Sequence, residues 1–262
     1  CAGLSSTSRH VAAVTLSPHS PEVPVAQHPS YDYIVVGAGS AGAVVASRLS
    51  EDPSTSVLLL EAGPDNDALE IAMPAAFANL FKTRWDWDYT TTPQPGLGGQ
   101  RAYWPRMKAL GGCSSMNAMI YIRGNAWDYD NWAAMGCDGW SYDDVLPWFM
   151  KAEANERGAD DYHGAGGSPF VWDQHYTNEA SRAFVSSAAA LQLPQTQDFN
   201  GDRQAGFGVY QVTQRKGERW SASRAYVEPI RNQENLDIRT KTLVEKLVIE
   251  GGRVTGVAIR KG

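Results

Sequence analysis

The chain has 262 residues, enough for one large domain or two modest ones. With 43% hydrophobic and 20% charged residues, it has the composition of a globular protein able to fill a core. Its formal net charge of -6 argues against nucleic acid or anionic lipid as partners, because neither is attracted to a net-negative surface.

Residues 1–30 are rich in Ser, Ala, Pro, Val and His, without helical or strand periodicity, and read as a flexible leader. Cys1-Ala2-Gly3 resembles the start of a bacterial lipoprotein after signal removal. Two localisations stay open: bacterial cytoplasmic, or exported and lipid-anchored through Cys1. The other cysteines, Cys113 and Cys137, do not form a disulfide framework with it. The five histidines show no H-x-x-x-H spacing, so no metal site is expected. No apolar run approaches the roughly 18 residues that span a bilayer.

Tyr33-Ile34-Val35-Val36 is a short apolar run that reads as a buried parallel strand. Gly37-Ala38-Gly39-Ser40-Ala41-Gly42 follows at once and fits G-x-G-x-x-G. Ala43–Leu49 then reads as a helix, with Val44, Val45, Ala46 and Leu49 as its buried stripe. After a polar turn around Asp52-Pro53-Ser54, a second strand, Ser56–Leu60, ends at Glu61.

Each part has a physical purpose. Gly37 permits the tight turn, Gly39 lets a pyrophosphate approach the backbone, and Gly42 lets helix and strand pack closely. The free N–H groups of Ser40, Ala41 and Gly42 at the helix N-terminus would face the phosphates. Glu61 stands where a carboxylate can accept from ribose hydroxyls. It would repel a 2′-phosphate, which disfavours NADP. This unit alone leaves FAD and NAD both open.

The stretch Arg106-Met107-Lys108-Ala109-Leu110-Gly111-Gly112-Cys113-Ser114-Ser115-Met116-Asn117-Ala118-Met119-Ile120-Tyr121-Ile122-Arg123-Gly124 discriminates between them. It resembles the first signature of the glucose–methanol–choline (GMC) flavoprotein oxidoreductases, and the resemblance runs from about Tyr31 to the last residue. Two positions depart from the family pattern: Met107 and Cys113 stand where small residues are common.

The resemblance implies FAD as cofactor, with Ala109, Gly112, Cys113, Asn117, Ala118, Met119 and Ile120 at the cofactor. Ala62, beside Glu61, and Trp87, in the stretch Trp85–Tyr89 that these enzymes wrap around FAD, would join them. The backbone at Val244 would meet the adenine. In choline-oxidase-like members a His at the position of Met116 carries the covalent flavin link. Met cannot form that bond, so FAD is expected to be non-covalent.

The implied fold is α/β: a Rossmann-type FAD-binding domain with a parallel sheet, plus an inserted α+β substrate domain. The expected division is 31–150 for the first part of the FAD domain, 151–225 for the substrate segment and 226–262 for the return. In that return, Leu236–Ile238 and Leu243–Ile249 read as strands, and Gly251-Gly252 as the turn of a hairpin. Tyr162-His163-Gly164 marks entry into the substrate segment, with His163 read as a surface loop residue.

The implied reaction is oxidation of an alcohol, with hydride passing to flavin N5 and a His base taking the hydroxyl proton. In the family that His, and a second signature, lie well past the point where this chain stops. The chain therefore reads as truncated, or as one of two pieces completed by a second chain or a missing C-terminal half. Fatty acid photodecarboxylase and hydroxynitrile lyase share the fold and stay open; Tyr176-Thr177-Asn178 and Met73-Pro74-Ala75-Ala76 resemble the former branch. A reading of another class also stays open, that this chain alone is a non-catalytic flavin-binding fragment that needs a partner chain.

Overall fold

The computed structural model describes residues 12–16 and 29–261. By contacts the chain divides into two compact units. The first comprises residues 1–71, 78–116 and 222–262; the second comprises 72–77 and 117–221.

The first unit contains the expected strand–turn–helix–strand. Tyr33–Val36 and Val57–Leu60 pair in parallel, Tyr33 opposite Val57 through Val36 opposite Leu60. Leu236–Arg239 pairs in parallel on the other side of Val57–Leu60, which makes the latter the central strand. Its four apolar residues are fully buried. Tyr33–Val36 is an edge strand instead of a buried one: Tyr33 is 49% and Val36 53% exposed. An apolar run shows that a strand can be buried on both faces, but not which neighbours it receives.

The helix Ser40–Leu49 buries Ala43, Ala46 and Ser47 and packs on the helical turn Ser223–Val227. The small residues face inward because the helix approaches closely; Val45, expected in the stripe, points out at 46% exposure.

The hairpin Thr242–Glu250 with Arg253–Lys261 turns at Gly251 and Gly252, whose φ angles of 56° and 78° are what a tight two-residue hairpin turn needs. Val257 and Ile259 of the hairpin close a core with Leu58 and Leu60 of the central strand, and Val244 packs against it.

One expectation about the leader is corrected here. Ala12–Leu16 is a strand, antiparallel to Arg253–Lys261, with Ala12 opposite Ile259 and Thr15 opposite Gly256. The hairpin presents an edge of unpaired N–H and C=O groups, and a short Ala-Val-Thr-Leu run suffices to pair with it although it is too brief to show periodicity. Cys1 and the rest of 1–11, together with 17–28, lie outside the described residues.

The second unit mixes helices with short strand pairings, an α+β arrangement. Ala126–Ala134 and Tyr142–Ala152 begin with capping boxes, Asn125 with Asp128 and Ser141 with Asp144. Glu179–Ala190 is capped by Asn178. Strand-like pairings join Ala154–Asn155 to Phe170–Val171, and Val212 to both Ile120 and Trp172.

The longer segment of this unit runs from Asn117 to Ser221, so residue 150 falls inside it and the first unit resumes at Ala222. Arg123 shows why. Its N–H donates to Asn200 Oδ1 at 2.8 Å and its Nη1 to the Tyr162 carbonyl at 2.8 Å, which ties the residues before 150 to those after it. Among the described residues, no helix is long and apolar enough to cross a membrane.

Candidate functional site

The glycine loop of the first unit has the geometry its sequence implies. Gly37 adopts φ +88° with no atom within 4 Å of a Cβ built there. A Cβ on Gly42 would lie 1.9 Å from the Gly37 carbonyl oxygen, so only glycine lets the helix start this close to the strand. Gly39 has open space on its side-chain face, with Gly112 Cα the nearest atom at 4.0 Å. It caps the helix without a side-chain acceptor, so the first-turn N–H groups of exposed Ser40 and Ala41 receive no side-chain cap from it.

The signature loop meets this cradle at close range. A Cβ on Gly112 would come within 2.6 Å of Gly39 Cα. Gly111 N–H donates to the Ala38 carbonyl at 2.8 Å. Ser114 fixes the turn by donating to the Gly111 carbonyl at 2.6 Å and accepting from Ala222 N–H at 2.8 Å. Cys113 is exposed, Ala109 is fully buried, and Met116 lies in a core with Ile71, Leu80, Trp85, Met107 and Ala109. Met107, a departure from the family pattern, thus fills core volume.

Glu61 is only 6% exposed. Its Oε2 accepts from Ala38 N–H at 2.9 Å and its Oε1 from Gly63 N–H at 2.8 Å. Burial pushes this carboxyl up, opposed by those amide donors. Glu61 therefore latches the glycine loop to the end of the central strand, and each oxygen keeps a second lone pair for another donor. Beyond it, Ala62 and Trp87 line a cavity of about 160 Å³ with Lys108, Lys241, Leu243 and Arg260. Lys108 sits over the Trp87 ring at 4.7 Å. Val244, next to Leu243, is half-buried on the hairpin.

The four remaining predicted residues belong to the second unit. Asn117, Ala118 and Ile120 are exposed, while Met119 is buried. Ala118 and Ile120 line a cavity of about 660 Å³ with Trp172, His175, Tyr176 and Gln214.

The unit also holds a charged cluster that sequence reasoning missed. His163 is 3% exposed, not at the surface. Its Nδ1 meets Glu153 Oε1 at 2.6 Å and its Nε2 meets Asp198 Oδ2 at 2.7 Å, while Arg123 Nη2 lies 2.9 Å from Glu153 Oε2. The hydrogen bonds to Asp198 and Glu153, working against burial, raise the imidazole to about 9. Burial works to raise the Glu153 carboxyl, yet His163 and Arg123 hold it below its ordinary value. The cluster is a closed set of paired charges, and its signal in sequence was a His in a Gly-rich loop, which is weak.

A parallel sheet with a glycine cradle at a helix N-terminus, an acid at the end of the second strand and an inserted α+β unit define a dinucleotide-binding oxidoreductase fold. The profile of the GMC oxidoreductase family matches residues 31–262. The chain belongs to that family of FAD-dependent oxidoreductases.

Among its relatives, mitochondrial choline dehydrogenase of Mus musculus is 44% identical over 235 residues, 87% of this chain and 39% of that protein. Oxygen-dependent choline dehydrogenase of Pectobacterium carotovorum is 46% identical over 238 residues, 88% of this chain and 43% of that protein. Among solved structures, pyridoxine 4-oxidase from Mesorbium loti superposes with a TM-score of 0.83 at 34% identity, covering 88% of this chain and 48% of that one. The chain spans about two fifths of the length of these curated relatives.

Proposed function

We propose that this chain carries the FAD-binding part, and one wall of the substrate site, of an enzyme that oxidises an alcohol by hydride transfer to flavin N5. The close approach of Gly39 and Gly112, which leaves an uncapped helix N-terminus beside them, is the observation that carries this reading. It leaves room for a pyrophosphate and offers it N–H donors.

In this reading the N–H groups at Ser40, Ala41 and Gly42 hold the pyrophosphate. Glu61, held by Ala38 and Gly63, accepts from a ribose hydroxyl with a free lone pair. Ala62, Trp87 and the backbone at Val244 receive the adenosine end. Gly112 and Cys113 receive the flavin end, and the family resemblance assigns Asn117–Ile120 to the cofactor as well. FAD supplies the hydride acceptor; the protein supplies position and exclusion of water.

Met116 offers no nucleophile for a covalent flavin link and is packed in the core, so the cofactor is held without a bond there. The related choline dehydrogenases and pyridoxine 4-oxidase support a hydroxyl-bearing substrate. The 660 Å³ cavity has the aromatic walls and polar ends to take one.

The general base falls outside the described residues. His163 is buried and protonated between two carboxylates, and His175 is exposed and paired with Glu156. The His163 imidazolium, held by Glu153 and Asp198, has no lone pair with which to take a hydroxyl proton.

The test uses the protein at the full length of its relatives. It should purify yellow and release all its FAD on acid denaturation. Choline, pyridoxine or a simple primary alcohol should bleach the flavin anaerobically in the dark. Glu61→Ala should weaken FAD retention by about tenfold or more. A colourless protein that titrates with NAD would overturn the cofactor assignment, and a flavin that no alcohol reduces would overturn alcohol oxidation.

A further inference from the structure

Arg219 is almost wholly buried, at 1% exposure, in the segment Glu218–Arg219 that forms a small hairpin with Gln214–Arg215. Its Nη1 donates to two oxygens of one residue: the Asn117 carbonyl at 2.7 Å and Asn117 Oδ1 at 3.1 Å. Asn117 Oδ1 also accepts from Met119 N–H at 3.0 Å. With both lone pairs engaged, the Asn117 amide has one orientation. The turn it spans is not a relaxed one. Met119 adopts φ +62°, a left-handed backbone that a non-glycine side chain rarely takes. On its far side the Met119 carbonyl accepts from Thr213 N–H at 2.8 Å and Thr213 Oγ1 at 3.3 Å.

Such a conformation persists only where its surroundings impose it. Here they are Thr213 on one side and the Arg219–Asn117 clamp on the other. What the clamp shapes is the exposed run Asn117, Ala118 and Ile120.

We propose that Arg219 is a positioning residue that acts through Asn117. By gripping the carbonyl and Oδ1 together it holds the left-handed turn at Met119, and so sets the edge of residues 117–120 that receives the cofactor. The inference rests on the reading above that 117–120 meets FAD. Burial lowers the guanidinium pKa to about 10, so the clamp is cationic and intact at neutral pH. Lysine is no substitute, because its ammonium stands one bond nearer the backbone than the Nη1 that makes both contacts, and it is more strongly hydrated and so less suited to this buried position.

The test is a double-mutant cycle on the full-length protein, read as the FAD dissociation constant from flavin fluorescence, with the flavin absorption band and Tm recorded alongside. Arg219→Lys and Asn117→Ala should each weaken FAD binding by about tenfold and shift the flavin band in the same direction. In the Asn117→Ala background, Arg219→Lys should cost clearly less than it does in the wild type, because the Oδ1 half of the clamp is already gone and only the carbonyl contact remains. Asn117→Asp keeps the acceptor for both Arg219 and Met119, and should lose clearly less FAD affinity than Asn117→Ala.

Multiplicative losses in the double variant would overturn the proposal, as would Asn117→Asp binding as weakly as Asn117→Ala. If Arg219→Lys does not fold, Arg219→Gln takes its place in the cycle, and a loss of FAD affinity equal in the wild-type and Asn117→Ala backgrounds overturns the proposal. Failure of the wild-type protein to take up FAD would instead sink the cofactor reading, so the two failures are distinguishable.

Discussion

Between Glu153 and Asp198, His163 uses both ring nitrogens, and this sets how the second unit responds to pH. The imidazole lies at about 9 in the folded chain against 6.5 for the free side chain. A base whose folded value is raised contributes stability that is fully present below about pH 6.5 and is lost as pH rises through about 9. The wild-type protein should therefore melt at progressively lower temperature as pH is raised from neutrality through about 9. His163→Gln keeps polarity but removes the charge, leaving Glu153 to Arg123 and Asp198 to the more distant Arg157; it should cost about 3 kcal/mol at neutral pH in urea denaturation and flatten that pH slope. A variant with wild-type stability and an unchanged slope would show that the ion cluster adds nothing net. His163 could not be placed from sequence because its partners lie 10 and 35 residues away. A histidine next to glycines looks alike whether the loop lies on the surface or folds over a carboxylate.

The glycine cradle and the signature loop form one element in space although 73 residues separate Gly39 from Gly112. Gly112 adopts φ +51°, and its missing Cβ makes room for Gly39 Cα. Gly112→Ala should push the two loops apart, weaken FAD binding by at least about tenfold and cost about 1–3 kcal/mol of stability. Gly96→Ala is the control, because nothing lies within 4 Å of a Cβ built there; its FAD affinity should stay at the wild-type value. Equal behaviour of the two variants in a flavin titration would show that the close approach is dispensable. The strand, turn, helix and hairpin were legible because their causes are local: an apolar run, glycines at fixed offsets, a Gly-Gly turn. The rest depends on which surfaces meet. Glu61 could be placed at a strand end, but not its grip on Ala38 N–H, which arises only when the loop folds back over the carboxylate. Val45 was expected inside and points out, because close helix packing favours Ala43 and Ala46. The part that Arg219 plays could not be read from sequence, since nothing local shows that it is buried against Asn117, 102 residues away.

Among the described residues, two apolar strands stand at sheet edges without a partner on the outer side. The parallel sheet of the first unit ends on Tyr33–Val36, with Tyr33 49% and Val36 53% exposed, and the hairpin sheet ends on Thr242–Glu250, with Leu247 52% and Ile249 60% exposed. An apolar strand with free N–H and C=O groups is a template for pairing with another chain. The curated relatives are more than twice as long as the part this chain matches, so the family's full fold has ample residues to cover such edges. Residues 1–262 expressed alone should therefore self-associate in a concentration-dependent way by light scattering. They should show no flavin reduction by alcohols, since loss of a general base typically costs about 100- to 10,000-fold. Supplying the remaining length found in the relatives, fused or as a second chain, should restore a defined oligomeric state and flavin reduction together. Scattering and bleaching separate the two causes. Restored solubility without reduction would place the base elsewhere than in the added segment. A monodisperse, alcohol-reducible flavoprotein from residues 1–262 alone would show that neither the edges nor the base depends on anything beyond them.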